Sequence, residues 1–169
     1  MIHISLVKIV KERNVSWGIT ISTILTSVAY VIISIISIII GKYLYYGTVL
    51  FADLQFLLGS IIGVVYCLGN LQRDQPFLKY GIIVGILGGL FSSVFISLYQ
   101  TVLLAITGGE TNIFIFFLYL GFTLLSGIVI GLLTGAILGT IYIYKDMKKY
   151  DIKEDEHLDD DFFKDLIDK

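Results

Sequence analysis

Asp53 is the residue best placed to do chemistry. It is the only charged side chain inside any of the long apolar runs, here VLFADLQFLLGSIIGVVYCLG. An acidic group within a membrane segment is a functional candidate by default. With Gln55 beside it, it could serve a coupling ion or a substrate. Asp53 also sits about one turn inside its run, where it could cap a helix N-terminus or lie among lipid headgroups. Gln100, near the end of another run, either joins a polar cluster at that same level or bonds within the bundle. Both readings stay open for all three residues. Enzymatic chemistry is not expected. His3 and His157 lie in the terminal segments, and no HExxH, dinucleotide fingerprint or phosphate loop is present. An intramembrane aspartyl pair would need a second carboxylate in an apolar run, and there is none. The single cysteine, Cys67, excludes an intramolecular disulfide and a cysteine-based zinc site. It reads as a small apolar packing residue, with S-acylation a remote alternative. No metal, cofactor or nucleic acid is expected.

The elements that hold these residues follow from composition. The chain has 169 residues, 56% hydrophobic and 15% charged, with one proline. Soluble domains carry roughly 25% charged residues. Crossing a bilayer takes roughly 20 apolar residues, and the sequence offers four such stretches: about 17–40, 49–69, 80–106 and 115–144. The last apolar window opens at Ile113 and would measure about 48 Å as one helix. Phe114, Phe116, Phe117 and Tyr119 suit an interfacial anchor at its start. Stretches such as VIISIISIII are apolar on every face, which fits helices and not the alternating strands of a barrel. The first stretch exceeds a signal-peptide core of about 7–15 residues and is read as retained. The expected fold is all-α, a polytopic four-helix transmembrane bundle.

Basic residues set the orientation. Lys8, Lys11 and Arg13 precede the first span, Arg73 and Lys79 lie between the second and third, and Lys145, Lys148, Lys149 and Lys153 follow the fourth. With both termini cytoplasmic, only Lys42 falls outside. A multi-pass location in the cytoplasmic membrane is therefore expected.

Glycines recur at intervals of four. Gly127, Gly131, Gly135 and Gly139 form one stripe; Gly81, Gly85 and Gly89 form another, with Gly88 alongside; Gly59 and Gly63 form a shorter one. Residues four apart share a helix face. Small residues on that face let a neighbouring backbone come close. Spans two, three and four are thus expected to form the tight part of the bundle. The first span has no glycine stripe; its Thr20, Thr23, Ser27, Ser34 and Ser37 could bond to carbonyls or across helices. A stripe could instead face another subunit or line a conduit. The chain also suggests an internal repeat. Gly59-Ser60-Ile61-Ile62-Gly63 resembles Gly135-Ala136-Ile137-Leu138-Gly139, and Trp17-Gly18-Ile19-Thr20 resembles Tyr80-Gly81-Ile82-Ile83. Two tandem hairpins in one orientation, or chance recurrence of common membrane residues, would both produce this.

The terminal segments differ in charge. In residues 1–16, Ile2, Leu6, Ile9 and Val10 share a helix face, which suits a short amphipathic helix on the cytoplasmic surface; a frayed terminus is the alternative. Residues 145–169 form an acidic tail; from Asp151 onward it carries nine acidic residues and three lysines. Leu158, Phe162, Phe163, Leu166 and Ile167 fall on one helical stripe. An acidic face is repelled by anionic lipid, so the tail suits a basic cytoplasmic protein partner or serves as a solvated appendage.

The segments LLGSIIGVVY, KYGIIVGILGG and SGIVIGLLTGAILG, between Phe56 and Gly139, resemble uncharacterised families of small, glycine-rich, four-span membrane proteins of archaea. The resemblance implies a membrane location and a helical fold, and no activity. The leading expectation is an integral membrane protein that is not an enzyme. It would be a scaffold or accessory subunit acting through glycine-mediated packing and its acidic tail, surrounded by lipid, with a homo-oligomer or a cytoplasmic partner. The alternative is a small oligomeric transporter or channel with Asp53 at its outer mouth.

Overall fold

A computed structural model describes the backbone of residues 2–40, 47–71, 75–109 and 111–167, and the side chains of 12–36, 53–71, 75–109 and 111–147. Lys42, Arg73, the N-terminal apolar side chains, Ser37 and the tail side chains Leu158, Phe162, Phe163, Leu166 and Ile167 lie outside the described residues. Four helices follow in chain order: α1 (Ile2–Ile40), α2 (Gly47–Gly69), α3 (Phe77–Ile106) and α4 (Ile113–Ile167). Among the described residues there are no strands. Three helices hold stretches long and apolar enough to cross a membrane: Glu12–Ile36 in α1, Phe77–Ile106 in α3 and Ile113–Met147 in α4. In α2 the described apolar stretch, Asp53–Gly69, is shorter than a full span. The chain is therefore a helical membrane protein.

Local chemistry explains the helix ends. Pro76 has no N–H to leave unpaired and holds φ at −72°, so α3 starts directly after it. At the other end Gly108 takes φ +82°, a left-handed value that suits glycine. Gly109 N–H then reaches back to the Leu104 carbonyl (2.9 Å) and Gly108 N–H to that of Ala105 (3.3 Å), closing α3 with a Schellman motif. Asn112 Oδ1 accepts from Ile115 N–H at 2.9 Å and caps α4. Asn70 donates to Tyr66 O at the end of α2, and Asn14 of α1 donates to Asn70 O at 2.9 Å, tying α1 to the α2 terminus. Both outer helices are longer than the sequence pattern alone implies. Residues 2–13 continue α1 without a break, and α4 stays helical through the tail to Ile167.

The helices pack as two antiparallel hairpins, α1/α2 and α3/α4. Helices α2 and α3 also meet each other, α1 packs on α3, and α4 packs on α2. Among the described residues no Cα of α1 comes within 8 Å of a Cα of α4. The core divides into two apolar clusters. Val64, Cys67, Leu68, Phe77 and Val84 fill one end, and Tyr30, Phe56 and Ile96 fill the other. Between them the buried positions are small or hydroxylated: Ser22 and Thr26 on α1, Gly59, Ser60 and Gly63 on α2, and Gly85, Gly88, Gly89, Ser92 and Ser93 on α3. Lipid tails are as apolar as leucine, so such a layer holds together through close backbone approach and hydrogen bonds, not through escape from water.

Candidate functional site: the small-residue layer and its buried polar groups

In the second hairpin the glycines meet in strict antiparallel order. Gly81 faces Gly135, Gly85 faces Gly131 and Gly89 faces Gly127, one helical turn per step. A Cβ at Gly81 would stand 2.5 Å from the Gly135 carbonyl oxygen, and one at Gly85 or Gly89 would overlap the opposite carbonyl. Gly139 closes the series against the backbone of Leu78, 2.8 Å from where its Cβ would lie. The first hairpin uses the same register with different residues. Gly18 lies against Gly63 and Cys67, while Ser22 and Thr26 press on Gly59 and Gly63. Ser22 also reaches across to Gly88 on α3.

Two sequence expectations change here. The tight packing includes α1, and is not confined to the second, third and fourth helices. Its small face is Gly18, Ser22 and Thr26, spaced by four like the glycine stripes, but with hydroxylated residues in place of glycine. Thr20 and Thr23 lie on another face and donate to their own helix, to Ser16 O and Ile19 O, each at 2.9 Å. The contacts also do not follow the likeness of letters: Gly18 meets Gly63 and Gly81 meets Gly135, whereas the letters set Gly63 beside Gly139, one turn further on.

Beside the glycines runs a hydroxyl network. Ser92 donates to Gly88 O (2.7 Å) and Ser97 to Ser93 O (2.7 Å). Ser93 Oγ lies 2.7 Å from both Gly89 O on its own helix and Thr123 O on α4, and its single proton serves one or the other. Ser97 and Thr123 hydroxyls lie 2.8 Å apart. These bonds satisfy donors that have no water to turn to, and they lock α3 to α4 just beyond the last glycine pair.

Asp53, Gln55 and Gln100 do not form one site. Asp53 is exposed, whereas Gln55 is 1% exposed. Residues two apart on a helix point to different sides. Gln100 is half-buried and donates from Nε2 to Tyr30 Oη at 2.6 Å, linking α3 to α1. Tyr30 in turn stands edge-on to Tyr99, with ring centroids 5.9 Å apart. Sequence reasoning misses Tyr30 and Thr123. Each is one polar residue in an apolar stretch, and only the fold shows which partner it meets. Several buried polar atoms have no protein partner: Ser22 Oγ, Ser27 Oγ, Ser60 Oγ, and the side-chain carbonyls of Gln55 and Gln100. Cys67 is a buried free thiol. Among the described residues no three His, Cys, Asp or Glu side chains gather as a metal site. This arrangement can bring helix backbones together and orient a few polar groups inside the bundle.

Compared with known proteins, the chain matches no protein-family model, no curated protein and no solved structure.

Proposed function

We propose that the chain is a four-span protein of the cytoplasmic membrane, with both termini inside, acting as a non-catalytic scaffold or accessory subunit. The observation behind this reading is the continuity of α4. The helix leaves its apolar stretch at Met147 and stays helical to Ile167. At 1.5 Å per residue that is about 30 Å of helix beyond the apolar stretch. An acidic segment is thereby held out from a bundle that glycine packing makes stiff. A scaffold needs those two properties, a firm seat and a fixed arm. The fourth crossing is assigned to α2, whose 23 residues measure about 35 Å, enough for a hydrocarbon core of about 30 Å. An even number of spans then places nearly all Lys and Arg on one side. The glycine motifs resembling archaeal four-span families fit this location and add no activity.

The test is a mild-detergent purification of the full chain and of a chain lacking residues 151–169 from native membranes, with the mass of each complex measured. A stoichiometric partner present only with the tail supports the scaffold reading; masses that differ only by the deleted residues sink it. The variants Thr111→Cys and Asp155→Cys, each in a Cys67→Ala background, should label from opposite faces of the membrane. Labelling from the same face would refute the topology.

A second reading, a small oligomeric transporter or channel, draws on the unpartnered side-chain carbonyl of Gln55, next to Phe56, and on the unpartnered hydroxyl of Ser60 midway along the bundle. Transporter sites lie at such a depth. Flux through reconstituted vesicles, compared between the parent and Gln55→Leu, separates this reading from the first.

A further inference from the structure

The chain passes from the first hairpin to the second once, between Gly69 of α2 and Phe77 of α3. The other two connections, after Ile40 and after Ile106, each stay within one hairpin. At the linked end the hairpins share a broad apolar contact, in which Val64, Cys67 and Leu68 pack with Phe77 and Val84. At the unlinked end they meet through Tyr30, Phe56 and Ile96 and through the Tyr30–Gln100 hydrogen bond. Along the outside, α1 and α3 separate around an open groove lined by Thr20, Thr23, Phe91 and Leu98. The close contacts divide in the same way. Each described glycine whose added Cβ would stand within 3 Å of a backbone atom meets the backbone of its own hairpin. Across the seam the neighbours are side chains: Gly88 meets Ser22, Gly127 meets the Phe56 ring and Gly18 meets a Val84 methyl.

Buried polar groups follow the same division. Where α3 meets α4, the hydroxyls of Ser93, Ser97 and Thr123 are bonded. On the seam between the hairpins they are stranded. Ser22 is fully buried, its Oγ faces Gly88, and it has no partner. Ser60 is 1% exposed and also unpartnered. It lies one turn from Phe56, which touches Gly127, so both occupy the α2 face turned to the second hairpin. Gln100 Oε1, beside the Tyr30 contact, is unpartnered too. A buried unpaired polar group costs stability, and water reaching the seam would offset that cost.

We propose that the hairpins are two rigid bodies hinged at the Gly69–Phe77 link, and that the seam parts at the Tyr30–Gln100 end to admit water as far as Ser22 and Ser60. Packed bodies that turn about a short connection are a common form of conformational change. Ser22 lies two turns from Tyr30, about 12 Å along α1, and Gly59, next to Ser60, lies against Ser22. The Tyr30–Gln100 bond is the latch. The second hairpin, which carries the arm of α4, stays rigid in this motion.

The test reads the access of water to single thiols in the full chain, reconstituted in lipid vesicles. Ser60→Cys in a Cys67→Ala background is treated with silver ion, and the thiols left free are labelled with a maleimide after denaturation. Ser60→Cys should be blocked, and at least threefold faster when Tyr30→Phe removes the latch bond. Ser97→Cys, inside the second hairpin, and Val64→Cys, at the linked end, should stay free over the same time. Ser22→Cys is a second reporter in case Ser60→Cys does not fold, and detergent melting checks every variant. The proposal is overturned if both seam reporters stay as free as Val64→Cys, which would mean that the serines turn to carbonyls of their own helices, as Ser92 does to Gly88 O. It is overturned as well if Ser97→Cys is blocked as fast as the seam reporters, or if Tyr30→Phe leaves their rate unchanged.

Discussion

The carbonyl of Gly131 occupies the space that a side chain on Gly85 would need. The relationship is reciprocal, since a Cβ on Gly131 would overlap the Gly85 carbonyl. Two backbones in such contact gain dispersion and weak Cα–H···O attraction along their length, and neither can accept a methyl group without moving apart. Gly85→Ala and Gly131→Ala should each destabilise the bundle by about 1–3 kcal/mol, the usual cost of overpacking. The leucine variants should not assemble. Gly121 is the control on the same helix as Gly131. It is exposed, and nothing lies within 4 Å of an added Cβ, so Gly121→Ala should melt within about 1 kcal/mol of the parent. Thermal melts in detergent decide. Equal melting of all three alanine variants would show that the close contacts do not hold the bundle.

Tyr30 and Gln100 join the two hairpins through one hydrogen bond of 2.6 Å. Tyr30→Phe should cost about 0.6–1.7 kcal/mol, the range seen for hydrogen bonds between membrane helices. Gln100→Leu in the Tyr30→Phe background should then cost almost nothing further, because the bond is already gone. Full additivity in that cycle would mean that the two residues are not partnered.

How far the sequence reveals this molecule depends on the kind of signal. Apolar runs show helices directly, because lipid leaves few other choices. Glycine stripes at Gly81, Gly85, Gly89 and Gly127, Gly131, Gly135 show a face, because only one residue type makes a smooth groove so plainly. Gly18, Ser22 and Thr26 do the same work on α1 and are hard to see, since serine and threonine also occur as solitary polar residues with no packing duty. Thr20 and Thr23 look equivalent in the sequence, yet they sit beside the outer groove. Polar partners are least legible. Gln100 lies 70 residues from Tyr30, and no local pattern links them. Asp53 stands out by its charge alone, and the structure leaves it exposed.

Gln55 and Asp53 are two residues apart and should behave oppositely. Asp53 is exposed, so Asp53→Asn should leave melting within about 0.5 kcal/mol of the parent, as surface changes usually do. Gln55 is buried with its side-chain carbonyl unpaired. A buried unpaired acceptor costs about 1–3 kcal/mol, so Gln55→Leu should be neutral or raise stability by up to that amount. A loss of stability in Gln55→Leu would mean that the carbonyl has a partner, such as a buried water. A stabilised variant that also loses vesicle flux would show that Gln55 is kept for transport.

The last prediction concerns the arm. Helix α4 is one element of 55 residues, but its packing on the other helices is described in the apolar part, from Thr123, bonded to Ser93, to Tyr142 and Ile143, beside Phe77. Stability should therefore reside in the apolar part and be insensitive to the tail. Deleting residues 151–169 should leave the detergent melting temperature unchanged while the association with a basic cytoplasmic partner disappears. Association through the tail should weaken with salt, since the segment from Asp151 carries nine acidic residues against three lysines and screening shortens such attraction to about 8 Å at physiological ionic strength. A melting temperature that falls with the deletion would place the tail against the bundle instead. An association that ignores salt would move the contact from the acidic residues to the apolar stripe of Leu158, Phe162 and Leu166. Charge-reversing Asp159, Asp160 and Asp161 to lysine, with the stripe left intact, distinguishes these two modes of tail binding.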